Sequence, residues 1–177
     1  MTDFEKDKEL IMDTYARFPI TITKGRGLFV YDRDGKKYLD CGSGISVNNL
    51  GHCHPAVVAA IKEQAETLIH CSNLYWSEPQ LAVAAYLTQY SGLDRVFFCN
   101  SGAEANEGAI KLARKYFYDQ GKSDKYEIIT MEKSFHGRTL ATLTATGQGK
   151  VKTGFAPLPE GFRYVPFHDL TARSETL

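Results

Sequence analysis

The sequence predicts an α/β fold built on a parallel sheet, and three observations carry that prediction. Residues 96–99 and 126–131 are short runs rich in β-branched and aromatic side chains, as in buried parallel strands. Each runs into a loop rich in small and polar residues and then into a segment with helical spacing. Arg163-Tyr164-Val165 reads as a third strand after a long loop that holds glycines and prolines. Strands alternating with helices imply a parallel sheet, and such sheets bind ligands beyond the C-terminal ends of their strands.

Taken in order, residues 3–18 form a predicted amphipathic helix with Phe4, Ile11, Tyr15 and Phe18 roughly on one face, ended by Pro19. Residues 28–31 and 37–39 flank Asp32-Arg33-Asp34-Gly35, which is a β-hairpin signal. Residues 41–54 carry Gly42, Gly44 and Gly51 with two asparagines, a loop whose backbone must approach something closely. Pro55 opens a helix continued by Val58, Ile61, Ala65 and Leu68. Ser77-Glu78-Pro79-Gln80 opens the next as a capping box, with Leu81, Ala84, Ala85 and Leu87 on its apolar side. After the strand at 96–99, Ala105, Ala109, Leu112 and Tyr116 mark a long helix. The strand at 126–131 leads to a loop over 132–137. Residues 139–146 are read as a helix despite four threonines. A loop over 147–161 follows, and a further helix begins at Asp169.

The composition narrows the function. Of 177 residues, 43% are hydrophobic and 24% charged, enough to bury a core. Lysine plus arginine equals aspartate plus glutamate at 21 each, so no basic excess draws the chain to nucleic acid or an anionic membrane. No apolar run approaches a membrane span, and the first ten residues are too charged for a signal peptide. Cys41, Cys53, Cys71 and Cys99 lack C-x-x-C spacing; the expectation is free thiols in the cytoplasm.

Two loops can carry chemistry. Asn100-Ser101-Gly102 joins strand to helix, where free backbone N–H groups and the helix dipole suit a phosphate. The same residues admit an ordinary capped helix, since Ser101-x-x-Glu104 is a capping box whose carboxylate would compete with an anion. The second loop, residues 134–138, offers the Phe135 ring, the His136 imidazole and the Arg138 guanidinium beside it. A zinc module built on His52, Cys53, His54, His70 and Cys71 is disfavoured, because adjacent residues seldom share one metal. A non-catalytic assembly piece using Asn73, Tyr75 and Trp76 is a second rival.

Four motifs in order resemble the class III aminotransferases: Gly51-His52-Cys53-His54-Pro55, Ser72-Asn73-Leu74-Tyr75, residues 100–107, and residues 134–139. The resemblance covers nearly the whole chain from Ile20. It implies the aspartate-aminotransferase fold (fold type I) and pyridoxal phosphate (PLP) as cofactor. Residues 1–50 would belong to the small domain and residues 51–177 to the large, PLP-binding domain. Gly102 and Ala103, helped by Ser101, would give N–H groups to the PLP phosphate. Phe135 would stack on the pyridine ring, and Arg138 would bind a substrate carboxylate.

Within the class, Gly44-Ile45-Ser46-Val47-Asn48-Asn49-Leu50-Gly51-His52 is most similar to members that move the δ-amino group of N-acetylornithine to 2-oxoglutarate in arginine biosynthesis. Members acting on ornithine commonly carry a tyrosine near Ile45; succinylornithine and 4-aminobutyrate are further amine donors in the class. The intact family protein is a homodimer, with the region around Tyr75 near its interface. The class's Schiff-base lysine is not recognisable among Lys111, Lys133, Lys150 and Lys152, so no catalytic residue is assigned. About three parallel strands are visible where such sheets have about four to six, and the expectation is an N-terminal part of a longer protein, inactive alone.

Overall fold

A computed structural model describes residues 2–168. The helix expected from Asp169 lies outside them. The chain packs as two compact units, one running to Ser77 and one from Glu78 onward.

The first unit opens with α1 (Asp3–Leu10), capped by Thr2 in a reciprocal capping box with Glu5. The helix expected to reach Phe18 therefore stops eight residues early, with Ile11 already extended. Asp13 and Thr14 favour local turns over helix, and the Thr14 N–H donates to the Met12 carbonyl at 2.8 Å. Phe18 is 86% exposed, so the apolar stripe has no surface to bury against among the described residues, and short helices depend on such burial.

The expected hairpin forms as β2 (Phe29–Asp32) and β3 (Lys37–Leu39), antiparallel. A further strand, β1 (Ile22–Arg26), pairs with β2 and completes a three-stranded sheet in the order β1-β2-β3. The Asp32 carboxylate fixes the turn. It accepts the N–H groups of Asp34 (3.0 Å) and Lys36 (2.8 Å) and the Tyr38 hydroxyl (2.8 Å). Residues 41–54 are a loop as expected, broken by an irregular helical turn, α2 (Ser43–Ser46). Pro55 then starts α3 (Pro55–Thr67).

The second unit holds α4 (Glu78–Ser91), α5 (Gly102–Asp119), β4 (Ile128–Met131), α6 (Leu140–Ala145) and β5 (Phe162–Val165). β4 and β5 are parallel, in register from Ile128 opposite Phe162 to Met131 opposite Val165. The core is Ile110 of α5, Leu143 and Ala145 of α6, and Val165 of β5. Arg114 ties α5 to the chain just before each strand: it donates to the carbonyls of Tyr126 (3.1 Å) and Glu160 (2.8 Å), and its guanidinium lies over the Tyr126 and Phe162 rings.

Residues 96–99, expected as a buried strand, are not one. A strand exists through its hydrogen-bonded neighbour, and none of the described backbone pairs with this segment. Phe97 is 71% exposed, and its ring lies along α5 at Gly108, where a Cβ would stand 3.1 Å from it.

The hydrogen bond from Tyr38, followed by those from the Lys36 and Asp34 amides, holds the Asp32 carboxyl below its ordinary value. Stabilisation from a lowered carboxyl is complete above the ordinary range, near pH ~4, and is lost as pH falls through the lowered value. Asp32→Asn should therefore lower the thermal midpoint at neutral pH and flatten its fall in acid. An acid limb of unchanged slope would contradict this.

Candidate functional site

The two loops singled out in the sequence both belong to the second unit, and the structure brings them into contact. Ser101 is extended (φ −154°, ψ 160°) and caps α5, its Oγ accepting the Glu104 N–H at 3.2 Å. The other half of the expected capping box does not form. The Glu104 carboxylate turns back one residue further and accepts the Asn100 N–H at 2.5 Å, with Asn100 Nδ2 at 3.4 Å. The carboxylate is thus taken by Asn100 and bonds neither of the first two amides of α5. The N–H groups of Gly102 and Ala103 have no protein acceptor among the described residues.

An anion fits this turn. Two unfilled amides sit at the positive end of an 18-residue helix. A Cβ built on Gly102 would meet nothing within 4 Å, so the approach to these amides is open.

The second loop leaves β4 at Met131 and is anchored at successive residues. Ser134 Oγ donates to the Met131 carbonyl (2.5 Å) and accepts the Gly147 N–H (3.2 Å), while Gln148 Nε2 donates to the Ser134 carbonyl (2.9 Å). The His136 N–H donates to Thr146 Oγ1 (3.0 Å), and its carbonyl accepts Asn106 Nδ2 (2.7 Å). Gly137 is buried at φ +134°, a conformation that L side chains rarely adopt. A Cβ there would lie 2.7 Å from both the Ala103 Cβ and Thr142 Oγ1. The loop therefore rests directly on the first turn of α5. Thr139, the cap of α6, donates its hydroxyl to the Glu107 carboxylate on α5 and closes the same seam.

Phe135 stands between the anchored residues 134 and 136 and is 63% exposed. The Arg138 guanidinium carbon lies 6.0 Å from the centre of that ring. His136 is half-buried, with Nδ1 3.4 Å from Ser134 Oγ. The structure thus sets an open pair of amides, an exposed aromatic face and a cation on one pair of joined loops. An anion, a flat ring and a carboxylate are the groups such a surface can hold.

Asn106, Glu107 and Thr139 lie within the sequence motifs, yet nothing local in the sequence gives a role to them or to Thr146. The signal available was spacing: Asn106 and Glu107 stand one turn beyond the amides, and Thr146 ends the threonine-rich helix. In the first unit, His52 Nε2 is taken by Asp40 Oδ2 at 2.6 Å, and the Asp40 carboxyl is held below its ordinary value chiefly by that hydrogen bond. No group of three or more His, Cys, Asp or Glu stands together as metal ligands among the described residues. No helix among them is long and apolar enough to cross a membrane.

The sequence profile of the family Aminotransferase class-III matches residues 11–176. The acetylornithine aminotransferase of Methanocaldococcus jannaschii is 57% identical over 171 residues, which are 97% of this chain and 43% of that protein. The acetylornithine aminotransferase of Oceanobacillus iheyensis is 56% identical over 175 residues, 99% of this chain and 44% of that protein. The chain therefore spans less than half the length of these relatives. A crystal structure of the ornithine aminotransferase from Toxoplasma gondii, with partial occupancy of PLP at its active site, superposes with a TM-score of 0.92 at 32% identity. It covers 98% of this chain and 41% of that one.

The Gly137 contact yields a direct test. Gly137→Ala should cost about 2–4 kcal/mol, combining overpacking against Ala103 with strain at a positive φ. Denaturant unfolding measures it; a cost below about 0.5 kcal/mol, typical of an unconstrained surface site, would show that the loop does not rest on α5.

Proposed function

The chain belongs to the class-III aminotransferases, and from that premise we propose that the complete protein moves the δ-amino group of N-acetylornithine to 2-oxoglutarate, a step of arginine biosynthesis. The family uses PLP, and the open amides of Gly102 and Ala103 beside the exposed Phe135 ring fit it. In this reading those two N–H groups hold the phosphate, with Ser101 fixing the turn that presents them. Phe135 lies against the pyridine ring. Arg138 takes a substrate carboxylate through its planar fork, in place beside the same ring. Bound there, PLP would supply the electron sink for moving a proton off the amine-bearing carbon.

The observation that carries the proposal is the union of the two loops at Ala103 and Gly137, because it joins an anion site to an aromatic face. The choice of N-acetylornithine rests on the 56–57% identity to acetylornithine aminotransferases and on Ile45 standing where ornithine-specific members commonly carry a nearby tyrosine. The same reading assigns residues 1–50 to the small domain and 51–177 to the PLP-binding domain. It makes the complete protein a cytoplasmic homodimer, with the exposed Asn73, Tyr75 and Trp76 near the subunit interface.

Steady-state kinetics of the complete protein on a panel of amines tests the substrate. The expected order puts N-acetylornithine first in kcat/KM, ahead of ornithine, succinylornithine and 4-aminobutyrate; another amine in first place would overturn it. Arg138→Lys should lower kcat/KM about thirtyfold, the loss of about 2 kcal/mol expected when a charge-assisted pair is weakened. An unchanged kcat/KM would remove Arg138 from the substrate site.

A further inference from the structure

We infer that Asn106 and Thr146 are positioning residues that hold the carbonyl and the N–H of His136 respectively and so fix where the Phe135 ring stands over the cofactor site. The inference rests on the reading of Phe135 as the ring-stacking residue and adds to it the device that holds the ring in place. His136 is gripped at both of its main-chain groups. Its N–H reaches Thr146 Oγ1 at 3.0 Å, and its carbonyl receives Asn106 Nδ2 at 2.7 Å.

The two grips come from different elements. Asn106 stands on α5, one turn beyond the amides of Gly102 and Ala103. Thr146 caps the C-terminus of α6 and is fully buried; its hydroxyl donates in turn to the Thr142 carbonyl at 2.9 Å. That hydroxyl has one proton, so donating to Thr142 leaves its lone pairs to receive the His136 N–H. The bond polarity is thereby fixed, and an amide facing the wrong way cannot be accommodated.

The geometry matters because Phe135 precedes the gripped residue directly and its ring touches little else, being 63% exposed. A ring that protein contacts do not surround is placed by its backbone. On the opposite side Gly137 abuts Ala103, and Ala103 carries one of the anion-facing amides. Asn106 therefore measures the ring's position from the same helix, one turn past the amides that would hold the phosphate. A flat ligand with an anionic arm needs that separation held constant.

The test uses the complete protein, stripped of cofactor, with three probes: PLP, pyridoxal and inorganic phosphate. Binding is read by fluorescence titration. Asn106→Ala should weaken PLP and pyridoxal about fivefold, within the range for one hydrogen bond lost from a positioned group, and leave inorganic phosphate unchanged. Thr146→Val should do the same, and Thr146→Ser, which keeps the hydroxyl, should restore binding. Phe135→Ala is the reference. If it leaves pyridoxal binding unchanged, the stacking reading itself fails. If it weakens pyridoxal while Asn106→Ala and Thr146→Val do not, the grip alone is overturned. Equal loss of phosphate and pyridoxal in Asn106→Ala would also overturn it, since that outcome marks damage to the start of α5. Should Thr146→Val not fold, Asn106→Ala decides, because Asn106 is only half-buried and its removal opens no core.

Discussion

The close approach of Gly137 to Ala103 is the constraint on which the second unit depends. It demands a backbone at φ +134° and a residue without a side chain, since a Cβ would be driven into Ala103 and Thr142. Once that contact is made, the other bonds across the seam follow. Asn106 reaches the His136 carbonyl and Thr139 reaches Glu107, while Thr146, at the end of α6, receives the His136 N–H. One helix turn and one strand-end loop become a single surface. Neither would have a defined position relative to the other from its own sequence.

The chemistry of that surface follows from what the seam leaves unused. Glu104, which could have satisfied the first amides of α5, is turned back to Asn100. Polar groups left unpaired near a helix start are costly when buried and useful when open, and here Gly102 keeps them open. Phe135 is likewise an aromatic ring withheld from the core, which is filled by Ile110, Leu143, Ala145 and Val165. The family to which the chain belongs uses a cofactor with an anionic arm and a flat ring, and these two exposures match its two parts.

Much of this was legible locally. The Asp32–Gly35 turn announced the hairpin because an aspartate there can bond its own turn amides, and it does so at Asp34 and Lys36. Pro55 set the start of α3, and the Ser101 cap with the apolar spacing of residues 105–116 set α5. The loops at 100–103 and 132–138 were readable as strand-end or helix-start turns from their small and polar residues. What failed were features set by distant partners. Residues 96–99 have strand composition, but pairing is a property of two segments. The helix at the N-terminus was over-extended because periodicity alone does not supply a surface to pack on. β1 was invisible for a related reason: Ile22-Thr23-Lys24-Gly25-Arg26 has little apolar alternation and is a strand because β2 offers an edge. Asn106 and Thr146 escaped assignment because their bonds span 30 and 10 residues, beyond the reach of any local pattern.

The most direct measurement is a crystal structure of the complete protein with PLP bound. The account predicts the phosphate on the amides of Gly102 and Ala103, the pyridine ring flat against Phe135, and Gly137 still packed on Ala103. Phosphate density elsewhere, with Phe135 turned to solvent and residues 101–103 bonded to protein instead, would contradict it.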